Sequence, residues 1–169
     1  MVNAKAQDVL KAASSSGIMI ATAESCTGGM VIAALTDIAG SSAIVDRGFI
    51  TYSNEAKISM LGVRAELIAT HGAVSEQVVR AMAEGAVAQV PHRAKMAISI
   101  SGIAGPGGGS FEKPVGLVWF GLASEIDGKK IITAEHHVFS GNRAEVRDAA
   151  TQHALGMMLD QLAALSSLG

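Results

Sequence analysis

The sequence predicts a single-domain three-layer α/β/α sandwich built on a mixed, mostly parallel sheet. Three observations lead there. Apolar strand-like runs alternate with segments of helical periodicity along the chain, the pattern of helices covering both faces of a sheet. Asp127-Gly128 sits between the last two apolar runs, which signals a two-residue hairpin and hence one antiparallel pairing. The 169 residues suit one domain, and no low-complexity tract, long charge run or Ser/Pro linker divides them, so one unit over residues 1–169 is expected.

Residues 2–15 read as a first helix, with Val9, Leu10, Ala12 and Ala13 as its apolar stripe ahead of Ser-Ser-Gly17. Residues 18–23 follow as a buried strand. Beyond Glu24-Ser-Cys-Thr-Gly-Gly29, residues 30–38 have helical spacing, and Gly40 supplies a C-terminal stop. Residues 44–52 form a second strand, after which Ser53-Asn54-Glu55 has the N-cap and acidic first turn of a helix. Ser75 caps the next helix, where Val78, Val79, Met82, Ala86 and Val90 share one side until Pro91 ends it. Strands are expected over residues 94–101, 115–124 and 130–139, the first two separated by the glycine-rich loop 102–110. Residues 143–165 form a long closing helix.

Charge and hydropathy narrow the function. With 13 Lys+Arg against 15 Asp+Glu the net charge is −2, which lacks the basic footprint of a general nucleic-acid binder. Mean hydropathy is high at +0.36. Yet the longest apolar stretch, residues 115–123, is roughly half the ~20 residues that a membrane-spanning helix needs. The first eleven residues interleave Lys, Gln and Asp with small residues, unlike a secretory signal, and a lone Cys26 forms no intrachain disulfide. A cytoplasmic protein with no membrane or nucleic-acid partner is expected.

Chemistry could reside at the turn after the first strand. Ser25 stands at a strand-to-helix junction before Thr27, Gly28 and Gly29, and free amides at a helix start can stabilise an oxyanion or bind phosphate. The same residues would serve equally as a helix cap with glycines for close packing. A serine nucleophile needs a base. Histidine offers no pattern: His136 and His137 are adjacent on a strand and point to opposite faces, while His71, His92 and His153 read as structural or solvent-facing. Lys57 lies in the first turn of the helix capped by Ser53, where the helix dipole and partial burial would both lower its pKa toward that of a general base, with Tyr52 near enough to assist. An ordinary surface lysine fits the residues too. Loop 102–110 follows a strand end, where α/β sheets place ligands, but it matches neither a Walker A loop nor a dinucleotide fingerprint. Its amides, aided by Lys113, Arg143 or Arg147, could bind an anion, and a plain connection is an equal alternative. Cys26 is a weaker nucleophile candidate, and one Cys with scattered His and carboxylates gives no metal-ligand spacing.

Six segments together carry a resemblance. They are Thr22-Ala-Glu-Ser-Cys-Thr-Gly-Gly29, Gly40-Ser-Ser42, Arg47-Gly-Phe-Ile-Thr-Tyr-Ser-Asn-Glu-Ala-Lys57, Gly72-Ala-Val-Ser75, Ser99-Ile-Ser-Gly-Ile-Ala-Gly-Pro106 and Lys113-Pro-Val-Gly116. In order and spacing the chain resembles the C-terminal-domain family of the competence/damage-inducible protein CinA, which includes stand-alone nicotinamide-nucleotide amidases. The resemblance implies hydrolysis of the carboxamide of nicotinamide mononucleotide (NMN) to nicotinate mononucleotide and ammonia, in pyridine-nucleotide salvage, with no cofactor or metal. By similarity Ser25 is the nucleophile and Lys57 its base, with Tyr52 and Ser42 in support. It further implies Ser101 and Arg143 as substrate-contacting positions, and a homodimer or higher homo-oligomer; the backbone amides of Thr27, Gly28, Gly29, Gly102 and Gly105 complete the expected substrate-binding set. Exposed Met30, Ile44 and Phe111, if clustered, would suggest such an interface. Full-length members carry a further N-terminal domain for which this length leaves no room, and its activity is not expected here. The other readings are a non-catalytic nucleotide-binding module and an amidase for a related amide.

Overall fold

The computed structural model describes residues 3–168. Five strands form one sheet in the order β2-β1-β3-β4-β5: β1 (Met19–Glu24), β2 (Val45–Ile50), β3 (Ala94–Gly102), β4 (Leu117–Ile126) and β5 (Lys129–Val138). The β1–β2 and β1–β3 pairs are parallel, while β3–β4 and β4–β5 are antiparallel. Four strands thus run one way and β4 alone is reversed, as the single hairpin signal requires. Asp127 and Gly128 both have positive φ, 50° and 83°, the backbone of a hairpin turn whose twist matches its strands.

Alternation along the strands splits the core into two unequal halves. Ile20, Met96, Ile98, Ile100, Val118, Phe120 and Leu122 face one side, where they pack with α1 (Ala4–Ser16), α2 (Met30–Thr36) and α6 (Arg143–Ser166). The other side is paved with Ala21, Ala23, Ala97 and Ala123 and carries α3 (Asn54–Leu61), α4 (Ala65–His71) and α5 (Glu76–Ala88). Small strand residues let α5 lie close to the sheet. A Cβ on Gly121 would stand 2.3 Å from the Val79 carbonyl oxygen, so only glycine fits where β4 passes under α5.

The caps expected at Ser53 and Ser75 are present, each side chain accepting a first-turn amide; Asn3 does the same for α1, and Asn142 with Glu145 forms a capping box at α6, neither of which was expected. Of the first predicted helix, Val2 lies outside the described residues. Helix α4 was not anticipated, because it is seven residues long and its N-cap, Arg64, makes no side-chain cap. The strand predicted from residue 115, the fourth of five, begins two residues later than expected, at Leu117. Gly116 has φ 94° and its missing Cβ leaves room for the Phe139 carbonyl oxygen, so the chain is still turning there. Ile44 is buried, Met30 half-buried and Phe111 fully exposed, so they form no shared surface cluster. No helix among the described residues is long and apolar enough to cross a membrane.

Candidate active site

Parallel pairing brings the C-terminal ends of β1, β2 and β3 to one edge of the sheet. Ser25 follows β1 directly and donates its amide to the Ile100 carbonyl of β3, while Thr51, just past β2, donates to the Glu24 carbonyl. Between these ends lies a cavity of about 290 Å³, lined by Ser25, Cys26, Tyr52, Asn54, Lys57, Ala73, Val74, Ser101, Gly102, Ala104 and Arg143. It opens where the strand order reverses around β1, the crevice in which α/β sheets hold ligands. A larger cavity, about 530 Å³, lies at the opposite edge between the hairpin turn and the end of α6. Its wall of Ser15, Ser16, Ser124, Ile126, Lys129, Ile131, Leu165, Ser166 and Leu168 contains no nucleophile–base pair, so size does not locate the chemistry.

Lys57 is 1% exposed and its Nζ stands 3.0 Å from Ser25 Oγ, 2.9 Å from the Thr51 carbonyl and 3.4 Å from the Tyr52 carbonyl. A neutral amine has two N–H donors and one lone pair. With those donors on the two carbonyls, the neutral form of Lys57 would present its lone pair to the Ser25 hydroxyl. Burial lowers the pKa of Lys57 from the ordinary lysine value, and the smaller coulombic effect of Cys26 opposes it. The Cys26 thiol is itself pushed up to about 11, chiefly by burial. That direction disfavours the thiolate at neutral pH and weighs against Cys26 as the nucleophile.

The remaining predicted residues divide. Tyr52 meets the pair through its backbone oxygen, whereas its side chain is 64% exposed and its hydroxyl accepts a hydrogen bond from Arg143 Nη2 at 3.3 Å. Arg143 Nη1 also donates to the Gly105 carbonyl at 2.8 Å, tying the glycine-rich loop to the mouth of the cavity. Ser101 and Gly102 are in the wall, Ser101 donating its hydroxyl to the Ala73 carbonyl at 2.8 Å. Ser42 is not brought in. It is exposed in the 3-10 turn Ser41–Ala43 that precedes β2, at the opposite edge of the sheet, because β2 runs parallel to β1. Thr27, Gly28 and Gly29 do not line the cavity either, and Lys113 is turned away, its Nζ bonded to the His71 carbonyl.

Sequence reasoning missed Glu24, and Glu24 explains why. Its carboxylate is buried and accepts from Thr27 Oγ1 (2.7 Å), Gly29 N (3.0 Å), Val31 N (3.1 Å) and Ile32 N (2.9 Å). The start of α2, expected to receive an anion, already holds one from its own chain, and neither Ser25 nor Thr27 caps it. The signal was a glutamate at the end of an apolar strand, in phase with the face that α2 covers. Glu24→Gln sets an NH₂ group against these donors, and thermal unfolding should show a loss of about 1–3 kcal/mol, with Tm lower by roughly 3–10 °C. An unchanged Tm would mean that the carboxylate charge is not what holds the turn.

The model of the CinA C-terminal domain family matches residues 2–162. The chain belongs to the CinA C-terminal domain family. Among its relatives, nicotinamide-nucleotide amidohydrolase PncC of Escherichia coli (strain K12) is 55% identical over 155 residues, covering 92% of this chain and 91% of that protein. The protein of the same name from Enterobacter agglomerans is 56% identical over 131 residues, 78% and 77% of the two chains. The crystal structure of competence/damage inducible protein CihA from Agrobacterium tumefaciens superposes with a TM-score of 0.84 at 45% identity, over 92% of each chain. The motifs that carry the resemblance, between residues 22 and 116, all fall within that match.

Proposed function

We propose that this CinA-family domain hydrolyses the carboxamide of NMN to nicotinate mononucleotide and ammonia, with Ser25 as nucleophile and Lys57 as its general base. The observation that carries the reading is the 3.0 Å contact between Ser25 Oγ and a buried lysine whose ammonium form is disfavoured. The PncC relatives, named as nicotinamide-nucleotide amidohydrolases, supply the substrate class.

Ser25 Oγ attacks the amide carbon while its proton passes to Lys57 Nζ, and the carbonyl π electrons move to oxygen. Collapse of that tetrahedral species breaks the C–N bond, and Lys57 returns the proton to the departing NH₂ group, releasing ammonia. Water, deprotonated by Lys57, then hydrolyses the ester and restores Ser25. Arg143 at the cavity mouth, held by Gly105 and Tyr52, is placed to meet the phosphate; Ser101 and Gly102 shape the opposite wall around the pyridine ring. A homodimer or higher homo-oligomer is part of the same reading, with Ile50 on β2 and Ile58 and Met60 on α3 as exposed apolar side chains.

The test is ammonia and nicotinate mononucleotide release from NMN by purified protein in EDTA. Turnover in the wild type, with a loss of more than ~10³-fold in Ser25→Ala, is the expected result. A folded wild type that releases no ammonia, or Ser25→Ala with full activity, sinks the reading.

A further inference from the structure

The turn that carries Ser25 is held from outside by a side chain that takes no part in the Ser25–Lys57 pair. Arg147, in the second turn of α6, reaches across 121 positions of sequence: its Nε donates to the Cys26 carbonyl at 3.0 Å and its Nη2 to the Thr27 carbonyl at 3.2 Å. Gly28 has φ 60°, and a Cβ there would stand 3.3 Å from Arg147 Nη2, so the turn closes against the guanidinium.

A trans peptide is planar, with its carbonyl and N–H pointing in opposite directions. Gripping the Cys26 carbonyl therefore turns the Thr27 N–H away from α6. Gripping the Thr27 carbonyl turns the Gly28 N–H back onto the Ser25 carbonyl, where it bonds at 3.1 Å, and this in turn sets the direction of the Cys26 N–H. Gly29 and Met30 have their amides occupied by Glu24 and the Thr27 carbonyl. The Cys26 and Thr27 amides have no protein acceptor among the described residues, and Cys26 lines the cavity beside the nucleophile.

We propose that Arg147 is a positioning residue for the reaction: by holding the Cys26 and Thr27 carbonyls it fixes the turn so that the free Cys26 amide, beside the nucleophile, is aimed at the oxyanion of the tetrahedral intermediate. The inference rests on the Ser25 amidase reading above. A cation bonded to a carbonyl also polarises that peptide, which makes its N–H a stronger donor. Because the oxyanion exists only after attack, the benefit falls on kcat rather than on KM.

Arg147→Gln and Arg147→Lys, assayed on NMN beside the wild type and Ser25→Ala with Tm recorded for each, test it. Loosening rather than deleting the donor should lower kcat by about 10–10²-fold in Arg147→Gln with KM little changed, less so in Arg147→Lys. Free guanidinium at a non-denaturing concentration should restore part of the Arg147→Gln loss and none of the Ser25→Ala loss, which a merely structural tie would not show. Wild-type kcat in Arg147→Gln, a defect carried by KM, or a loss that guanidinium leaves untouched overturns the role of Arg147. Arg147→Lys keeps the charge and serves the same comparison if the glutamine variant does not fold. An inactive wild type or an active Ser25→Ala overturns the amidase reading itself, and with it this inference.

Discussion

Lys57→Met should lower kcat/KM for NMN by about 10³–10⁴-fold while melting no lower than the wild type. The activity falls because, among the described residues, no other side chain is hydrogen-bonded to Ser25 Oγ as a base: its remaining partner is the Tyr52 carbonyl at 3.5 Å. The stability holds because Lys57 is buried and its charged form is disfavoured there, so an apolar side chain of similar length removes a desolvation cost. The sign of the pH dependence follows. Below the lowered folded-state pKa, Lys57 is protonated whether folded or unfolded, and the whole burial penalty opposes folding. As pH rises toward the ordinary lysine value, the folded protein gives up the proton first and the penalty fades. The wild type should gain stability relative to Lys57→Met through that window, and its kcat/KM should rise with pH as Lys57 becomes the free base. Denaturation at several pH values and a pH–rate profile read both effects. Retained turnover in Lys57→Met, or a rate that falls as pH rises toward the lysine range, would defeat the base assignment.

Gly85→Ala is expected to destabilise the protein by about 3 kcal/mol, lowering Tm on the order of 10 °C, and to cut activity as well. Helix propensity taken alone argues the reverse, since alanine in a helix interior is favoured over glycine by about 1 kcal/mol. Packing decides the sign. Gly85 lies in α5 where α3 crosses it, and a Cβ would stand 1.9 Å from the Leu61 carbonyl oxygen, a backbone atom that can yield only if α3 moves. The same helix carries Lys57 one turn earlier, and the Lys57 carbonyl accepts from Val63 N at 3.2 Å beyond its end. Pushing α3 off α5 therefore shifts Nζ relative to Ser25 Oγ, and misplacement of about 1 Å at a reacting group can cost ~10²-fold. Calorimetry and the NMN assay together check this. A variant as stable as wild type would show that α3 is not fixed by the contact.

Much of the site was legible because its signals are local. Ser53 before Asn54-Glu55 marked the start of α3 and so placed Lys57 in a first turn, and the structure keeps that cap on Ala56 N. Ser25 was legible as the residue between an apolar strand and two glycines. The purpose of those glycines was not. Glu24 fills the helix start that the motif seemed to leave open for a ligand, and a carboxylate's partners cannot be read from spacing when three of them are backbone amides up to eight residues on. Ser42 shows the converse: Gly40-Ser-Ser42 is among the segments that carry the resemblance, but the direction of β2 places it at the far edge of the sheet from Ser25 and Lys57.

By itself the sequence determined the strands, the longer helices, their order and the hairpin, and it singled out Ser25 and Lys57 as candidates. Periodicity, caps and turn residues act within a few positions, so a linear reading captures them. Only the tertiary structure decided which polar groups meet. Lys57 reaches Ser25 across 32 positions and Arg147 reaches the Cys26 carbonyl across 121, contacts that depend on strand order and on helix packing. It also decided that Lys57 is dry, since burial is a property of everything packed around a side chain, and that burial is what turns an ordinary lysine toward a base.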